Sequence, residues 1–209
     1  MNIKERITKL TDLITNDSLS EFDKHSAQQS HEAYEVFYDF IKEIKPKRIL
    51  EIGTAMGGFT NFLNVCCIDL GLGVNIRSYD INHYPWYNDF INRGVDIRVE
   101  NIFSNDFTKM DGEVIDYING EGTTIVLCDG GWKIGEFNLI SKYLKPGDFI
   151  LAHDYAENKE VFEEKINGKI WNWFEISNSD IIQSCVENNL EVFDKEPFEN
   201  IAWTCRKKL

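Results

Sequence analysis

Two stretches of this chain carry residues whose types and spacing could do chemistry. The first is Glu51-Ile52-Gly53-Thr54-Ala55-Met56-Gly57-Gly58, with an apolar run before it and a helical pattern after it. Glycines in a strand-to-helix turn let backbone come close to a ligand, and the N-terminus of the following helix favours a negative group such as a carboxylate. Glu51, Gly53, Thr54, Gly57 and Gly58 are therefore candidate cofactor contacts. Asp80 follows roughly 20 residues later, where an acid at the end of a second strand can accept both hydroxyls of a ribose. The second stretch is discontinuous: Asp129, and the pair His153-Asp154, each stand where an apolar run stops. Polar groups at the ends of adjacent buried strands are costly unless they act. An imidazole can take a hydroxyl proton near neutral pH.

These positions have to be brought together, and the pattern of elements says how. RILEIG (48–53), NIRSYDI (75–81), DIRVENI (96–102), TTIVLCDG (123–130) and DFILAHDY (148–155) read as short buried strands. FTNFLNVCCIDLG (59–71) and GEFNLISKYL (135–144) read as helices between them. Strands alternating with helices give a parallel sheet with right-handed crossovers. In the tail, a helix over 179–189 precedes LEVF (190–193) and IAWTC (201–205), two strands joined by a short loop containing Pro197, as in an antiparallel hairpin. The expectation is an α/β, doubly wound, Rossmann-like sheet of about seven strands, five parallel plus the hairpin. Ahead of it, Ile3, Ile7, Leu10 and Ile14 predict a short amphipathic helix over 3–15. A polar loop over 17–23 follows, then a helix from about Lys24 to Ile44 that Pro46 ends. Residues 1–44 are thus expected as a helical extension of the same domain that 45–209 form.

The chain has 209 residues and a formal net charge of −13. Such acidity gives no general attraction for nucleic acid or anionic membranes, and no run of about 18 apolar residues suggests a span. Neither a signal peptide nor a CxxC pair is read among the residues, so a cytoplasmic setting without disulfide framework or zinc cluster is expected. The glycine spacing is not GxGxxG, which disfavours a nicotinamide-dependent enzyme, and no GKS or GKT follows it, which excludes a P-loop.

The pattern E-x-G-x-x-x-G-G resembles motif I of class I S-adenosylmethionine-dependent methyltransferases, especially the catechol-type and cephalosporin-biosynthesis branch. The stretch from Asp129-Gly130-Gly131-Trp132-Lys133 through Leu144-Lys145-Pro146-Gly147 to His153-Asp154-Tyr155 resembles small-molecule or sugar O-methyltransferases. The resemblance runs from about Gln29 to Arg206. It implies that S-adenosylmethionine is the cofactor and that 45–209 are its domain, with Asn101 near the adenine and Asp129 also beside the cofactor. It further implies that Asp129, His153 and Asp154 hold a divalent metal, and that Lys133 is a candidate base. The first member of the acidic pair is here His153. Magnesium prefers oxygen ligands, whereas imidazole with carboxylates suits manganese, zinc or iron. The alternative is a metal-free base at His153.

The fourth strand lacks an Asn/Asp-Pro-Pro-Tyr/Phe motif and the chain lacks Pro-Cys, so amino- and C5-methylating nucleic-acid enzymes are disfavoured and a small molecule or saccharide is the expected acceptor. A non-catalytic binding module that kept the pocket is the other alternative. His83-Tyr84-Pro85-Trp86-Tyr87 can stack on adenine, cover the substrate or pack the fold edge. Gln29, Ser30 and His31 belong to a solvated helix face or reach the cofactor. Trp171 and Trp173 are read as exposed, serving a homo-oligomer interface or a substrate lid.

Overall fold

Arg48–Ile52 (β1) is buried on both faces, as the interior strand of a parallel sheet must be. The computed structural model describes residues 3–9 and 20–209. On one side β1 pairs in parallel with Asn75–Asp80 (β2), which pairs in parallel with Asp96–Val99 (β3). On the other it pairs with Thr124–Cys128 (β4), followed by Phe149–His153 (β5), again in parallel. Leu190–Val192 (β6) and Trp203–Lys208 (β7) complete the sheet, β7 running antiparallel to both β5 and β6. The order is 3-2-1-4-5-7-6, so the chain reverses its winding between β1 and β4. Ligands of doubly wound sheets collect at that switch point, outside the carboxyl ends of the strands.

The period-two alternation of strand side chains divides the core. Ile49, Ile125, Leu127 and Leu151 face one layer, with Phe37, Phe40, Phe59 and Phe62. Leu50, Val126, Ile150 and Ala152 face the other, with Phe137, Ile140 and Ile181. The first layer is covered by Ala33–Ile44 (α1), Gly58–Asp69 (α2) and Tyr87–Ile91 (α3). The second is covered by Gly112–Asn119 (α4), Lys133–Ile140 (α5) and Asn178–Glu187 (α6). None of the helices among the described residues is long and apolar enough to cross a membrane.

Helix α1 buries Ala33, Tyr34, Phe37, Phe40 and Ile41, a helical stripe. It ends at Lys45, whose left-handed backbone (φ 49°) returns its N–H to the Ile41 carbonyl ahead of Pro46. The expected helix from Lys24 therefore begins nine residues late, at Ala33. Residues Ser20–Phe22 instead pair antiparallel with His25–Ser26 and with Ile7–Lys9. Asp23 and Lys24 adopt positive φ (52° and 70°) and close that turn, while Phe22 is fully buried with its ring 5.5 Å from Phe62. Residues Ile3–Arg6 form a single 3-10 turn leading into Ile7–Lys9, not the start of an α-helix; Leu10 and Ile14 lie outside the described residues. In the tail, Lys195–Glu199 is helical, and the last strand starts at Trp203 rather than Ile201.

Candidate functional site

Strand register sets the site. Ile52 lies beside Tyr79 in β2 and Cys128 in β4, so Gly53, Asp80 and Asp129 leave the sheet at one level. Cys128 lies beside Ala152, which puts His153 next to Asp129. The sequence-predicted residues thus meet at the carboxyl edge, around two cavities that share Gly53, Ala55 and Asp129 as walls.

The larger cavity, about 470 Å³, is lined by Gly53, Asp80, Asn101, Asp129 and Glu136, with Phe103, Phe107 and Trp132 as its aromatic wall. Its size suits a nucleoside-like ligand. Asp80 is held in place by two backbone N–H donors, from Ala55 (2.7 Å) and Asn82 (2.8 Å), and each oxygen keeps a lone pair. Asn101 Oδ1 accepts the Phe103 amide at 3.0 Å, leaving its NH2 free to turn outward. His83 to Tyr87 do not line this cavity. Trp86 and Tyr87 donate instead to the Met56 and Ala55 carbonyls, at 3.0 and 2.6 Å, and brace the glycine turn from behind.

The glycines are required by crowding within the chain itself. A Cβ on Gly53 (φ +95°) would stand 2.1 Å from the Asp129 carbonyl oxygen, one on Gly57 2.4 Å from the Phe90 ring, and one on Gly58 2.3 Å from the His25 carbonyl oxygen. Thr54 and Glu51 face inward: Thr54 Oγ1 lies 2.6 Å from Ser78 Oγ, and Glu51 Oε2 accepts from Thr60 (2.5 Å) and from Ser78. Burial pushes the Glu51 carboxyl up to about 7, against the two hydroxyl bonds and helped by Asp129 and Asp80. Glu136 accepts the Gly130 and Trp132 amides, each at 3.1 Å, and so shapes the loop after β4. Burial takes it to about 7 as well, against those amide bonds.

A carboxyl raised in the folded state stabilises the fold below its unfolded pKa and loses that contribution as pH climbs to the folded value. For Glu51 and Glu136 that window is about pH 4.5 to about pH 7, with each group worth about 3 kcal/mol across it. Glu51→Gln is expected to match wild type near the bottom of the window and exceed it above the top, as read from urea midpoints against pH.

The smaller cavity, about 200 Å³, is lined by Glu51, Asp129, Lys133, His153, Asp154, Trp171, Trp173 and Glu175 among others. His153 is 2 % exposed, its ring stacked 4.8 Å from Trp203 and tilted against Trp171 at 4.7 Å. Its Nδ1 lies 3.0 Å from Asp129 Oδ1 and its buried Nε2 has no partner. A neutral ring beside that carboxylate keeps its proton on Nδ1 and its lone pair on Nε2. Gln29 fixes Asp129 from the other side. Its Oε1 accepts the Trp203 indole N–H at 2.8 Å, which aims its NH2 at Asp129 Oδ2, 3.0 Å away.

The ligand atoms of Asp129, His153 and Asp154 gather within 4.8 Å of one another, a spacing a metal ion could use. They are already engaged, however. Asp154, in a left-handed conformation (φ 57°), accepts the Trp171 indole N–H on Oδ1 and the Lys133 ammonium on Oδ2 at 2.7 Å. Lys133 also reaches Glu175 Oε2 at 2.9 Å and the Gly130 carbonyl at 3.1 Å, with Asp129 at 3.7 Å. Burial opposes charge on Lys133, but Asp129, Asp154 and Glu175 outweigh it and raise its pKa. Burial likewise opposes ionisation of Asp154, yet the Lys133 ammonium and the Trp171 N–H hold its pKa below the usual carboxylate range.

Two expectations change. Trp171 is 2 % exposed and part of the site, while only Trp173, at 41 %, remains open to solvent. Gln29 and Ser30 are fully buried ahead of α1, not on a solvated helix face. Of residues 83–87, Tyr84, Trp86 and Tyr87 pack on the core, while His83 and Pro85 are exposed. Sequence reasoning missed Glu136, Glu175, Phe103, Phe107 and Trp203; of these only Glu136 left a signal, an acid in the first turn of a helix.

No protein-family model matches the chain, and no curated protein sequence does. Solved structures do match in shape. The apo structure of CmcI-N160 superposes with a TM-score of 0.61 at 12% identity, over 90% of this chain and 76% of that one. The cmcI-D160 structure with Mg and SAM gives 0.57 at 13% identity, over 96% and 82%. An O-methyltransferase family protein from Burkholderia thailandensis gives 0.53 at 9% identity over 84% of this chain, which spans 56% of that protein's length. At these identities the likeness is one of fold: the chain has the Rossmann-like α/β fold, with its mostly parallel seven-stranded sheet, that these proteins share.

Proposed function

We propose that this chain is an S-adenosylmethionine-dependent methyltransferase acting on a hydroxyl of a small molecule or saccharide, with His153 as the general base. The observation that carries the reading is the pair of adjoining cavities across Gly53, Ala55 and Asp129. One offers Asp80, Asn101 and an aromatic wall to a nucleoside; the other offers an oriented imidazole and the open indole of Trp173 to an acceptor. The likeness in fold to structures described as O-methyltransferase and as SAM complex supports it.

When bound, the cofactor supplies an electrophilic methyl group on a sulfonium. The chain's part is alignment and proton management. Asp80 would hold the ribose hydroxyls and Asn101 the adenine edge of the cofactor. Asp129 orients the imidazole, and His153 Nε2 would take the proton of the acceptor hydroxyl. Lys133 stays an ammonium and serves as a fixed cation. The indoles of Trp171 and Trp203 keep water from the base.

Calorimetry with S-adenosylmethionine, followed by transfer assays on a panel of hydroxylated acceptors, tests the reading. Absence of cofactor binding sinks it; binding without transfer to any acceptor marks a silent binding module. Asp80→Ala is expected to weaken cofactor affinity about 10- to 100-fold, the value of one or two hydrogen bonds to a charged group. Asp80→Asn, which keeps one acceptor oxygen, should lose less.

A further inference from the structure

We infer that the ammonium of Lys133 is the resident cation of the carboxylate cluster and stands where a divalent metal would otherwise be held. Three carboxylates, Asp129, Asp154 and Glu175, converge on this corner of the site, and one side chain answers them. Lys133 is buried, and its three N–H donors match three acceptors: Asp154 Oδ2 at 2.7 Å, Glu175 Oε2 at 2.9 Å and the Gly130 carbonyl at 3.1 Å. The prospective metal ligands are accordingly occupied. Asp154 gives its second oxygen to the Trp171 N–H, and the ring nitrogen of His153 that faces both carboxylates, Nδ1, is bonded to Asp129 at 3.0 Å and so carries the proton. A divalent ion seated on Asp154 Oδ2 at about 2.0–2.2 Å would lie within about 5 Å of the ammonium and would have to displace it.

The elements place the lysine there by construction. Lys133 opens α5, directly after the Asp129–Trp132 loop that Glu136 ties down, so its stem enters the cluster from the first helical turn. Glu175, just before the short strand Ile176–Ser177, comes from a separate segment whose backbone is held to Asp154. A flexible side chain would not recruit an acid from a distant segment merely to be solvated. The cation's role in transfer rests on the methyltransferase reading; its presence in place of a metal does not.

Manganese is the probe, since it accepts imidazole and carboxylate together. Electron paramagnetic resonance titration of the intact wild-type protein should detect no bound Mn2+, and chelator should leave its melting temperature unchanged. Lys133→Ala empties the cage, and its Mn2+ affinity should rise on the order of tenfold or more with the like charge gone; adding Asp129→Asn should abolish the gain, and Lys133→Met, which removes the charge but fills the space, should gain less. Stoichiometric Mn2+ on wild type, lost in Asp129→Asn, overturns the inference, as does a folded Lys133→Ala protein that gains no affinity. Cofactor calorimetry fails or succeeds separately: without S-adenosylmethionine binding the transfer reading falls, and the manganese titration still decides the cation.

Discussion

His153→Ala, assayed with S-adenosylmethionine and an accepted alcohol, is expected to turn over about 10²- to 10⁴-fold more slowly than wild type, with cofactor affinity unchanged. The split follows from position. His153 lines the smaller cavity and not the one with Asp80 and Asn101. Lys133 cannot replace it as base, because the surrounding carboxylates hold it protonated. Asp129, a carboxylate, is a weaker base than the imidazole it would replace, and its Oδ2 still accepts the Gln29 NH2 at 3.0 Å. The substitution also removes a ring packed between Trp171 and Trp203, so some stability is lost. Chemical rescue separates the two effects: His153 lines the smaller cavity, so imidazole added to the variant should restore part of the rate. A purely structural histidine would give a less stable enzyme whose rate imidazole does not restore. Asp129→Asn should lower the rate with the ring still present, since the amide no longer fixes the proton on Nδ1.

The strands were legible because they are short apolar runs broken by glycine and acid, and their parallel sense follows from strand–helix alternation; the order with its switch point between β1 and β4 is set by the tertiary pairing. The strand-end residues were legible for the same reason. Where a buried run stops on Asp80, Asp129 or His153, the parallel topology itself puts those residues on one edge. The elements before residue 33 were not. Ser20–Phe22 and His25–Ser26 are too short for a period to show, and their hairpin depends on positive φ at Asp23 and Lys24, residues with no glycine to announce it. Gln29 carries no local signal either, because its partners Asp129 and Trp203 lie 100 and 174 residues away. Glu175 is the same case: alone it is one more surface acid, and only its pairing with Lys133 makes it a wall of the site. Trp171 shows in the sequence as an aromatic, but its burial against His153-Asp154 is a tertiary fact.

That pairing also changes what the acidic pair means. On sequence, the resemblance implies a metal at Asp129, His153 and Asp154, with a metal-free base at His153 as the alternative. In the folded chain the same residues divide their functions, the ring toward Asp129 and the carboxylate toward Lys133 and Trp171. His153 adds no carboxylate to the cluster, and Lys133 supplies it with a positive charge, so side chains offset part of the negative charge there.

Gly53→Ala is expected to cost about 3–5 kcal/mol of stability, the sum of a conformational and a packing cost. The backbone at Gly53 has φ +95°, which a Cβ resists. The packing cost is set by what stands in the way: the Asp129 carbonyl oxygen at 2.1 Å and the Gly130 nitrogen at 3.0 Å, both backbone. Neither can rotate aside, because Asp129 N–H is bonded to the Ile52 carbonyl at 2.9 Å and Gly130 N–H to Glu136 at 3.1 Å. Relief therefore means prising β1 from β4 at the switch point. At about 2–4 °C per kcal/mol for a chain of this length, the melting temperature should fall by about 10 °C. Gly71→Ala is the matched comparison, with positive φ (+65°) but nothing within 4 Å of the added Cβ, so it bears the conformational cost alone, about 1 kcal/mol. Differential scanning calorimetry on the two variants isolates the packing component, and equal melting temperatures would refute it. A surviving Gly53→Ala fold should also bind S-adenosylmethionine poorly, because the only way to admit the methyl group moves Asp129, the wall that both cavities share.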